Sequence, residues 1–552
     1  MKTAIRLMSA SLLLSLSLGM AITAGAQDMM KQEADCDAEG YTGTFQSVEA
    51  VDELTVKFTL CSPDPAFPAK VAFSAFGINS SEYLESTGGG GDLVSAPIGT
   101  GPYKLERWDL GNEMVFTANP DYWGEKAIEP TVIFRWNSES AARLTELQSG
   151  TVDGIDNPGP ADMEVVSADS NLALYERSGT NVFYLGMNNT IAPFDVKEVR
   201  QAVAMTIDRQ RLVDNFYPTG SAAATQFMPP SIFGYIDGFE PLDAGLSHDE
   251  KIAQAKELLA AGGYPDGFEI NLNYRDVVRG YLPQPGIVGQ DIQTQLAEVG
   301  ITVNIEVMES GAFLDASDAG ELAFYMLGWG ADYPDATNFL DFHFGTGSSA
   351  QFGAHVTALE EVLTEAATLS DQAARLELYT TAAELLRDEV PMIPIAHGGS
   401  AAAFKGSIVG GYASDIGAEQ FALMEDPDDE NIVWMQNAEP IGLYCADETD
   451  GETLRACEQV VESLLRYEVV TGTPIESLAT EYVANEDLTE WTFTLREGVT
   501  FHDGSALDAN DVVLSYVVQW DAAHPLHTGR DGNFTYFSSL FGGFLNPPPP
   551  AP

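Results

Sequence analysis

The amino-acid sequence predicts an α/β protein with two or three domains. The chain has 552 residues, of which 45% are hydrophobic, and at about 100–200 residues per domain this length supports more than one core. Segments that alternate apolar and polar residues are interleaved along the chain with segments whose apolar residues recur at helical spacing. Such interleaving is typical of α/β folds.

The predicted elements follow in chain order. Residues 46–60 alternate on both sides of Asp52-Glu53 and predict a β-hairpin, and residues 248–261 predict a helix that a Ser247 cap opens and Gly262-Gly263 close. Further predictions are a helix over 200–216, a helix over 287–300 before a strand over 300–308, a two-piece helix over 359–390, and a strand beginning at the "PMIPI" segment, 391–395. The glycine run 88–91 predicts a loop, because the strand, helix and Lys or Ser/Thr of a phosphate-binding loop are missing around it.

The charge of the chain excludes some function classes. It carries 83 Asp and Glu against 26 Lys and Arg, a formal net charge of −57. The electrostatic field of this negative charge repels nucleic-acid phosphates and anionic lipid headgroups, so we expect neither nucleic-acid binding nor electrostatic membrane binding. A solvated acidic surface is the ordinary explanation of the charge.

The first 26 residues predict an export signal. Lys2 and Arg6 precede an apolar stretch over 7–22, and an A-x-A-like cleavage site ends at Ala26. No later stretch reaches the about 20 apolar residues of a membrane span. We therefore expect a secreted or periplasmic protein, with no membrane insertion after cleavage near Ala26.

Four cysteines in an exported chain suggest disulfides. Three pairings are possible, and we favour the two local ones, Cys36 with Cys61 and Cys445 with Cys457. A zinc site is the weaker alternative, because CxxC and HExxH motifs are absent. We expect neither a metal nor a cofactor.

Six longer segments carry a family resemblance. They are "SAPIGTGPYKLERWDLGNEMVFTANPDYWG" (95–124), "AARLTELQSGTVDG" (141–154), "MNNTIAPFDVKEVRQAVAMTIDRQRLV" (187–213), "KELLAAGGYPDGFEINLNY" (256–274), "GWGADYPDATNFL" (328–340) and "LATEYVANEDLTEWTFTLREGVTFHDGSALDANDVVLSY" (478–516). Together they resemble the family 5 extracellular solute-binding proteins, the dipeptide- and oligopeptide-binding receptors of ABC importers. The resemblance covers most of the chain after the signal.

The order of these segments departs from the family. The "FTLREGVTFHDG" block usually lies near the N-terminus, ahead of "GTGPY", whereas here it comes last. This order predicts a circular permutation, in which "NIVWMQ" (431–436) is the family's N-terminal strand and the ends near Cys36 and Leu545 are neighbours. A gene rearrangement is the alternative explanation.

The resemblance implies a two-lobed, periplasmic-binding-protein-like α/β fold of class II, the large family 5 type. Lobe I would comprise 36–178 and 398–545, and lobe II 184–391, followed by a proline-rich tail over 546–552. The hinges between the lobes would be crossings near Gly179-Thr180 and Pro394–Ala396. A ligand bound between the lobes would close them.

The resemblance also supplies site candidates. Asp332, in "WGADYPD", matches the family aspartate that accepts the peptide α-amine, with Trp329 and Tyr333 beside it. Arg279, in "RGYLPQP", matches the arginine that binds the peptide carboxylate, since guanidinium binds carboxylate bidentately; Arg275 is the competing candidate. For each residue the alternative is a structural role.

Other landmarks are predicted to be structural. These are His397 at the last hinge and the glycines and histidine of the "GTGPY" and "FHDG" blocks. The "HGGS" segment is similar to a hydrolase oxyanion loop, but a GxSxG nucleophile elbow is absent, so an enzyme is not expected.

The function implied is a monomeric extracytoplasmic receptor that captures short peptides and delivers them to an ABC transporter permease. The alternatives are the same fold with an oligosaccharide, a nickel complex or haem as cargo and, more remotely, a secreted hydrolase.

Overall fold

A computed structural model describes residues 29–275, 279–346, 348–417, 419–469 and 472–547. The predicted signal over 1–26 lies outside the described residues, as does most of the proline-rich tail. None of the helices in these ranges is both long enough and apolar enough to cross a bilayer.

The described residues form three large sheets, a small hairpin and sixteen α-helices. The strands are β1 Lys31–Glu33, β2 Phe45–Asp52, β3 Thr55–Leu60, β4 Tyr103–Asp109, β5 Glu113–Ala118, β6 Thr131–Trp136, β7 Gly154–Asp156, β8 Leu172–Arg177, β9 Asn181–Met187, β10 Ala222–Ala223, β11 Glu269–Arg275, β12 Thr302–Met308, β13 Phe324–Gly330, β14 Met392–His397, β15 Ser400–Lys405, β16 Asn431–Gln436, β17 Leu465–Tyr467, β18 Pro474–Glu476, β19 Ala479–Ala484 and β20 Glu490–Leu495. The helices are α1 Phe67–Val71, α2 Ser81–Thr87, α3 Asp92–Ser95, α4 Ser140–Ser149, α5 Pro160–Ala168, α6 Lys197–Thr206, α7 Arg209–Phe216, α8 His248–Ala261, α9 Pro285–Ala297, α10 Ser310–Asp318, α11 Leu340–Phe344, α12 Thr357–Ala366, α13 Gln372–Glu389, α14 Gly451–Cys457, α15 Ala509–Trp520 and α16 Thr535–Leu540.

The sheets divide the molecule into two lobes. Lobe II contains the six-stranded sheet β10-β14-β9-β13-β11-β12, and lobe I contains the seven-stranded sheet β4-β5-β6-β16-β7-β15-β8 together with the five-stranded sheet β1-β2-β3-β20-β19. Strand β9 is buried on both faces, because Phe183 and Leu185 pack in one core of lobe II and Val182 and Tyr184 in the other. The α/β class and the two-lobed fold are therefore confirmed.

The chain passes between the lobes twice. It leaves lobe I after β8 and enters β9 through residues 178–180, as predicted, and it returns between β14 and β15 through Gly398 and Gly399. The predicted second crossing, Pro394–Ala396, lies inside β14 instead. Strand β14 continues to His397 because it pairs there with Ala222 of β10.

The first and last parts of the described chain lie side by side. Strand β20 pairs with β3 in the five-stranded sheet, and Thr44 N–H donates to the carbonyl of Phe541 at 2.7 Å. The predicted N-terminal strand of the family, β16, lies in the middle of the seven-stranded sheet, parallel to β6 and β7. The first and last described segments of lobe I are therefore neighbours in space.

One of the two predicted disulfides forms. Cys36 and Cys61 are bonded, whereas Cys445 and Cys457 are buried free cysteines, so the prediction of a second disulfide is wrong for this structure. Burial and a hydrogen bond with Cys445 hold the pKa of Cys457 well above its usual value. The thiolate that disulfide exchange requires is therefore disfavoured at this position.

Most local predictions are confirmed. The hairpin is β2–β3, and α8 begins with the predicted Ser247 cap, in a capping box with Glu250. The helix predicted over 200–216 is broken, however, because Asp208 caps α7 by accepting the Arg211 N–H at 3.0 Å, and its own N–H donates to Gln295.

Candidate functional site

The site predicted around Asp332 lies where strand β13 meets the first crossing. Gly330 pairs with Asn181 at the end of the strand, and the next N–H, of Ala331, donates to the carbonyl of Thr180 at 2.8 Å. A side chain at Gly330 would meet no heavy atom within 4 Å. The loop after β13 therefore starts at the hinge, beside open space.

Asp332 is a half-buried carboxylate held by one neighbour. Its Oδ2 accepts a hydrogen bond from Asn338 Nδ2 at 2.9 Å, and its backbone N–H donates to Asn338 Oδ1 at 2.9 Å. Burial raises the pKa of Asp332, and the Asn338 hydrogen bond opposes this rise. Within the described ranges it forms no ion pair, so the carboxylate keeps acceptor capacity for a cationic group.

Tyr333 reaches across to the other lobe. Only 7% of it is exposed, and it packs in the core of lobe I that surrounds the five-stranded sheet. The ammonium of Lys70, on α1 of lobe I, lies 5.4 Å from its ring centroid. Its hydroxyl lies 3.1 Å from Thr337 Oγ1. Tyr333 is thus a contact between the lobes.

Two tyrosines of lobe I lie near the Asp332 carboxylate. Burial raises the pKa of Tyr536 to about 12, and Asp332 and Asp450 add to the rise. Burial also holds the pKa of Tyr467 well above its usual value, with contributions from Tyr333 and Asp332. The charge of Asp332 therefore acts on two side chains of lobe I, across the boundary between the lobes.

Trp329 is partly covered by an aromatic neighbour. Its ring stacks on Phe342 with a centroid distance of 4.1 Å and meets His343 edge-on at 5.1 Å, and its Nε1 donates to Asn338 at 3.4 Å. Phe342 is 52% exposed. Trp329, predicted to lie beside Asp332, is thus one ring of a stacked aromatic pair.

Arg279 belongs to a loop that packs against the second crossing. Its backbone pairs with Leu282, and Tyr281 fills the space over Gly328. A Cβ at Gly398 would lie 2.0 Å from the carbonyl oxygen of Gly280, so the loop touches the hinge backbone directly. The Arg279 side chain is exposed, and no contact between it and Asp332 occurs among the described residues.

Arg275, the competing candidate, is half-buried at the end of β11. Its Nη2 donates to the Tyr281 hydroxyl at 3.2 Å. It therefore supports the loop that carries Arg279.

A cavity of about 690 Å³ lies between the lobes beside this site. Its wall on lobe II is formed by Pro334 and Asp335 of the site loop, together with Phe233 and Arg375. Ser178, at the first crossing, also lines the cavity. The wall on lobe I includes Pro65, Pro68, Ala69, Thr473, Pro474, Tyr482, Leu488 and Trp491. A space of this size between two lobes suits a small ligand.

An ion pair supports the site loop from within lobe II. Arg375 Nη2 and Nη1 donate to Asp335 at 2.7 and 3.1 Å, and Nη2 also donates to the Tyr379 hydroxyl at 2.8 Å. The guanidinium lies 4.9 Å from the ring centroid of Phe233. Asp335 is three residues from Asp332, so this pair fixes the loop's path.

The predicted structural landmarks lie outside the Asp332 site. The imidazole of His397 donates from Nδ1 to the Asn181 carbonyl at 2.8 Å, and burial lowers the pKa of His397 to about 4. The imidazole of His502 accepts from Gly99 N–H and donates to the Gly101 carbonyl, which joins the "FHDG" and "GTGPY" blocks. Within the described ranges, no three His, Cys, Asp or Glu side chains are placed to hold a metal.

Sequence reasoning missed several neighbours of Asp332. Asn338 lies in the same motif and could have been found there, since an amide six residues after a loop carboxylate is within reach of it. The other neighbours of the site lie far from Asp332 in the chain, and only the tertiary structure shows them. They are Lys70, which contacts the Tyr333 ring, and Tyr467 and Tyr536, whose pKa values the charge of Asp332 helps to raise.

The sequence matches a known family over most of its length. The pattern for bacterial extracellular solute-binding proteins, family 5 Middle, matches residues 22–351 and 473–533. The chain belongs to this family. It is accordingly a solute-binding receptor and not an enzyme.

Several characterised proteins are similar to this chain. Di/tripeptide-binding protein 1 of Pseudomonas aeruginosa is 33% identical, over 65% of this chain and 67% of its own length. The dipeptide-binding protein of Escherichia coli is 30% identical over 65% of this chain and 67% of its own. Heme-binding protein A of Haemophilus influenzae is also 30% identical, over 68% of this chain and 69% of its own length.

Solved structures resemble the chain in the same way. HbpA2 from Haemophilus parasuis superimposes with a TM-score of 0.65 and 30% identity, over 69% of this chain and 76% of that one. A second solved structure is the ABC transporter-associated periplasmic binding protein DppA from Helicobacter pylori in complex with the peptide STSA. It superimposes with a TM-score of 0.51 and 28% identity, over 67% of this chain and 72% of that one.

Proposed function

We propose that this receptor captures short peptides by their two ends, between lobes that close on them, and delivers them to an ABC transporter permease. The observation that carries the proposal is the half-buried Asp332 carboxylate at the boundary between the lobes, which among the described residues has one side-chain hydrogen-bond donor and no cationic partner. The di/tripeptide-binding and dipeptide-binding relatives support the same cargo.

The amino end of the peptide binds Asp332. An ammonium group placed against Oδ1 gives the carboxylate the charged partner that it lacks, in surroundings where burial strengthens the attraction. Asn338 holds the carboxylate in place through Oδ2. N-acetylation of the peptide removes this interaction because it removes the charge.

The carboxylate end binds Arg279. Its loop touches Gly398 at the second crossing, and Tyr281 packs over Gly328 in the strand that leads to Asp332. The peptide main chain then passes through the open space beside Gly330. Because ligand contacts come from elements at both crossings, binding stabilises the closed arrangement.

The receptor acts as a monomer outside the cytoplasmic membrane, after cleavage of the signal near Ala26. The lobe bounds proposed are 36–178 with 398–545 and 184–391, in a circularly permuted order. The adjacency of Thr44 and Phe541 supports the permutation.

Thermal unfolding with a panel of di- to pentapeptides and their N-acetylated forms tests the proposal. A ligand present at about 100 times its dissociation constant stabilises a receptor by about 2.7 kcal/mol. We expect free-amine peptides to raise the melting temperature and acetylated peptides to leave it unchanged.

The Asp332→Asn variant tests the anchor. Because it leaves a desolvated ammonium without its charged partner, we expect a loss of about 3–5 kcal/mol in peptide binding, measured by calorimetry. Asp315→Asn, on the exposed side of α10, changes the net charge equally and is the matched control. Equal affinities in the two variants would refute the role of Asp332, and a response to haem but to no peptide would refute the peptide cargo.

A further inference from the structure

The stacked pair of Trp329 and Phe342 is held in place by a third ring of lobe II. Both rings meet the His343 ring edge-on, at centroid distances of 5.1 and 5.0 Å. His343 is buried, and its Nδ1 donates to the carbonyl of Phe339 at 2.7 Å. Burial also lowers the pKa of its imidazole to about 4. The ring that supports the stack is therefore fixed, and it is uncharged at neutral pH.

The helix that carries Phe342 turns this residue outward. Leu340 and Phe344 lie four residues apart in α11, on the same helix face, and both are buried in one core of lobe II. Phe342, midway between them, points the other way and is 52% exposed, the largest exposed fraction of any aromatic residue in the described ranges. An exposed ring on a fixed stack offers its surface to another apolar group.

Asn338 joins the stack to the Asp332 carboxylate through direct hydrogen bonds. Its Oδ1 accepts from Trp329 Nε1 at 3.4 Å and from the Asp332 backbone N–H at 2.9 Å. Its Nδ2 donates to Asp332 Oδ2 at 2.9 Å. The edge of the indole ring and the carboxylate therefore flank a single amide group and are close neighbours.

The covalent geometry of a peptide brings its first side chain to this stack. When the α-ammonium group lies on Asp332 Oδ1, the first Cβ is only two bonds away from the bound nitrogen. Successive side chains of an extended peptide point to opposite sides, so the second side chain points away from the side that the first one occupies. A stack that adjoins Asp332 is therefore contacted by the first side chain and not by the second.

We infer that Phe342, together with Trp329, selects peptides whose first residue has a large apolar side chain, aromatic side chains above all. The inference rests on the proposed peptide function, since the α-ammonium on Asp332 is what places the first residue here. Packing of an aromatic side chain on the exposed ring of Phe342 removes apolar surface of both groups from water and adds a favourable contact between rings. Asp332 then anchors every peptide, and Phe342 distinguishes among them.

Calorimetry with three tripeptides tests the inference: Phe-Ala-Ala, Ala-Phe-Ala and Ala-Ala-Ala. We expect the wild-type receptor to bind Phe-Ala-Ala at least about tenfold more tightly than Ala-Ala-Ala, which corresponds to about 1.4 kcal/mol. In Phe342→Ala this ratio should fall below about threefold, because the exposed ring is lost. Phe342→Tyr keeps the ring and should keep the wild-type ratio.

The other two peptides supply the controls. The affinity for Ala-Ala-Ala should be the same in the wild type and in Phe342→Ala, which also shows that the variant is folded. The affinity for Ala-Phe-Ala should not change either, because its aromatic ring lies on the second residue. Leu110→Ala, at an exposed position in the turn between β4 and β5, is the matched control for the loss of an exposed apolar side chain and should keep the wild-type ratio.

The outcomes separate the two proposals. Equal wild-type affinities for Phe-Ala-Ala and Ala-Ala-Ala, or a preference that survives undiminished in Phe342→Ala, would overturn the role of Phe342 and leave the peptide function standing. An equal loss of affinity for Phe-Ala-Ala and Ala-Phe-Ala in Phe342→Ala would overturn the assignment to the first residue. Binding of none of the three peptides would overturn the peptide function and the role of Phe342 with it.

Discussion

Substitution of Gly398 by alanine should disturb both the stability of the receptor and its ligand site. Gly398 lies at the second crossing, where a Cβ atom would be 2.0 Å from the carbonyl oxygen of Gly280 and 3.2 Å from the Cα of Tyr281. Ordinary contacts of a Cβ begin at about 3.4 Å. The crossing and the loop that carries Arg279 must therefore move apart by more than 1 Å, a shift that follows from these two distances.

The magnitude of the effect follows from two losses. Overpacking against backbone costs about 1–3 kcal/mol. The Gly398 N–H and carbonyl also exchange hydrogen bonds of 2.9 and 2.8 Å with the Asn181 side chain, and a typical hydrogen bond contributes about 1 kcal/mol. We expect Gly398→Ala to lower the free energy of unfolding by about 2–4 kcal/mol and to weaken peptide binding through the displaced loop.

Guanidinium unfolding measures the first effect and calorimetry the second. Gly451→Ala is the matched control, since a Cβ there meets no heavy atom within 4 Å and the residue opens α14. If Gly398→Ala matched Gly451→Ala within about 0.5 kcal/mol in stability, the close approach of loop and crossing would be refuted.

Three further predictions concern stability and pH. Glu419→Gln should lower the free energy of unfolding in chemical denaturation by about 3–5 kcal/mol, because it leaves Arg177 and Arg455 buried without their shared carboxylate; a change below about 1 kcal/mol would refute this. Replacing Cys36 and Cys61 by serine should cost about 3.5 kcal/mol, since the disulfide closes a separation of 25 residues in the unfolded chain; an unchanged denaturation midpoint would contradict it. Peptide affinity should fall above about pH 8 as the α-amine loses its proton, and it should also fall in acid as the Asp332 carboxylate, whose pKa burial raises, becomes protonated. The acid limb should therefore begin above the range of an ordinary aspartate, and this early part of it should be absent in Asp332→Asn. An affinity independent of pH would rule out the ion pair between the α-amine and Asp332.

The local structure of the chain was largely predictable, because its causes are local. The alternation over 46–60 and the Ser247 capping box each depend on residues close together in sequence, and both occur as predicted. The helix predicted over 200–216 is interrupted at Asp208, whose side chain accepts the Arg211 N–H and whose own N–H donates to the Gln295 side chain. Periodicity alone does not report such a competing cap.

The candidate site was predictable only in part. The motif around Asp332 and its neighbours Trp329 and Tyr333 is a run of consecutive sequence, so a family resemblance was sufficient to choose it. The second crossing was predicted at Pro394–Ala396, a few residues too early, because the pairing of His397 with Ala222, which extends β14, joins residues that are distant in the chain.

The sequence by itself determined the α/β class, the family and the residue types at the proposed peptide ends, since these are carried by composition, periodicity and contiguous motifs. Only the tertiary structure decided which groups surround them. It joined the Tyr467 hydroxyl to the carbonyl of Ala69, packed Tyr333 into the core of the opposite lobe and left Cys445 and Cys457 as thiols. Each of these features depends on contacts between residues that are distant in the chain or on burial in a shared core. The local pattern of the sequence encodes neither the distant contacts nor the burial.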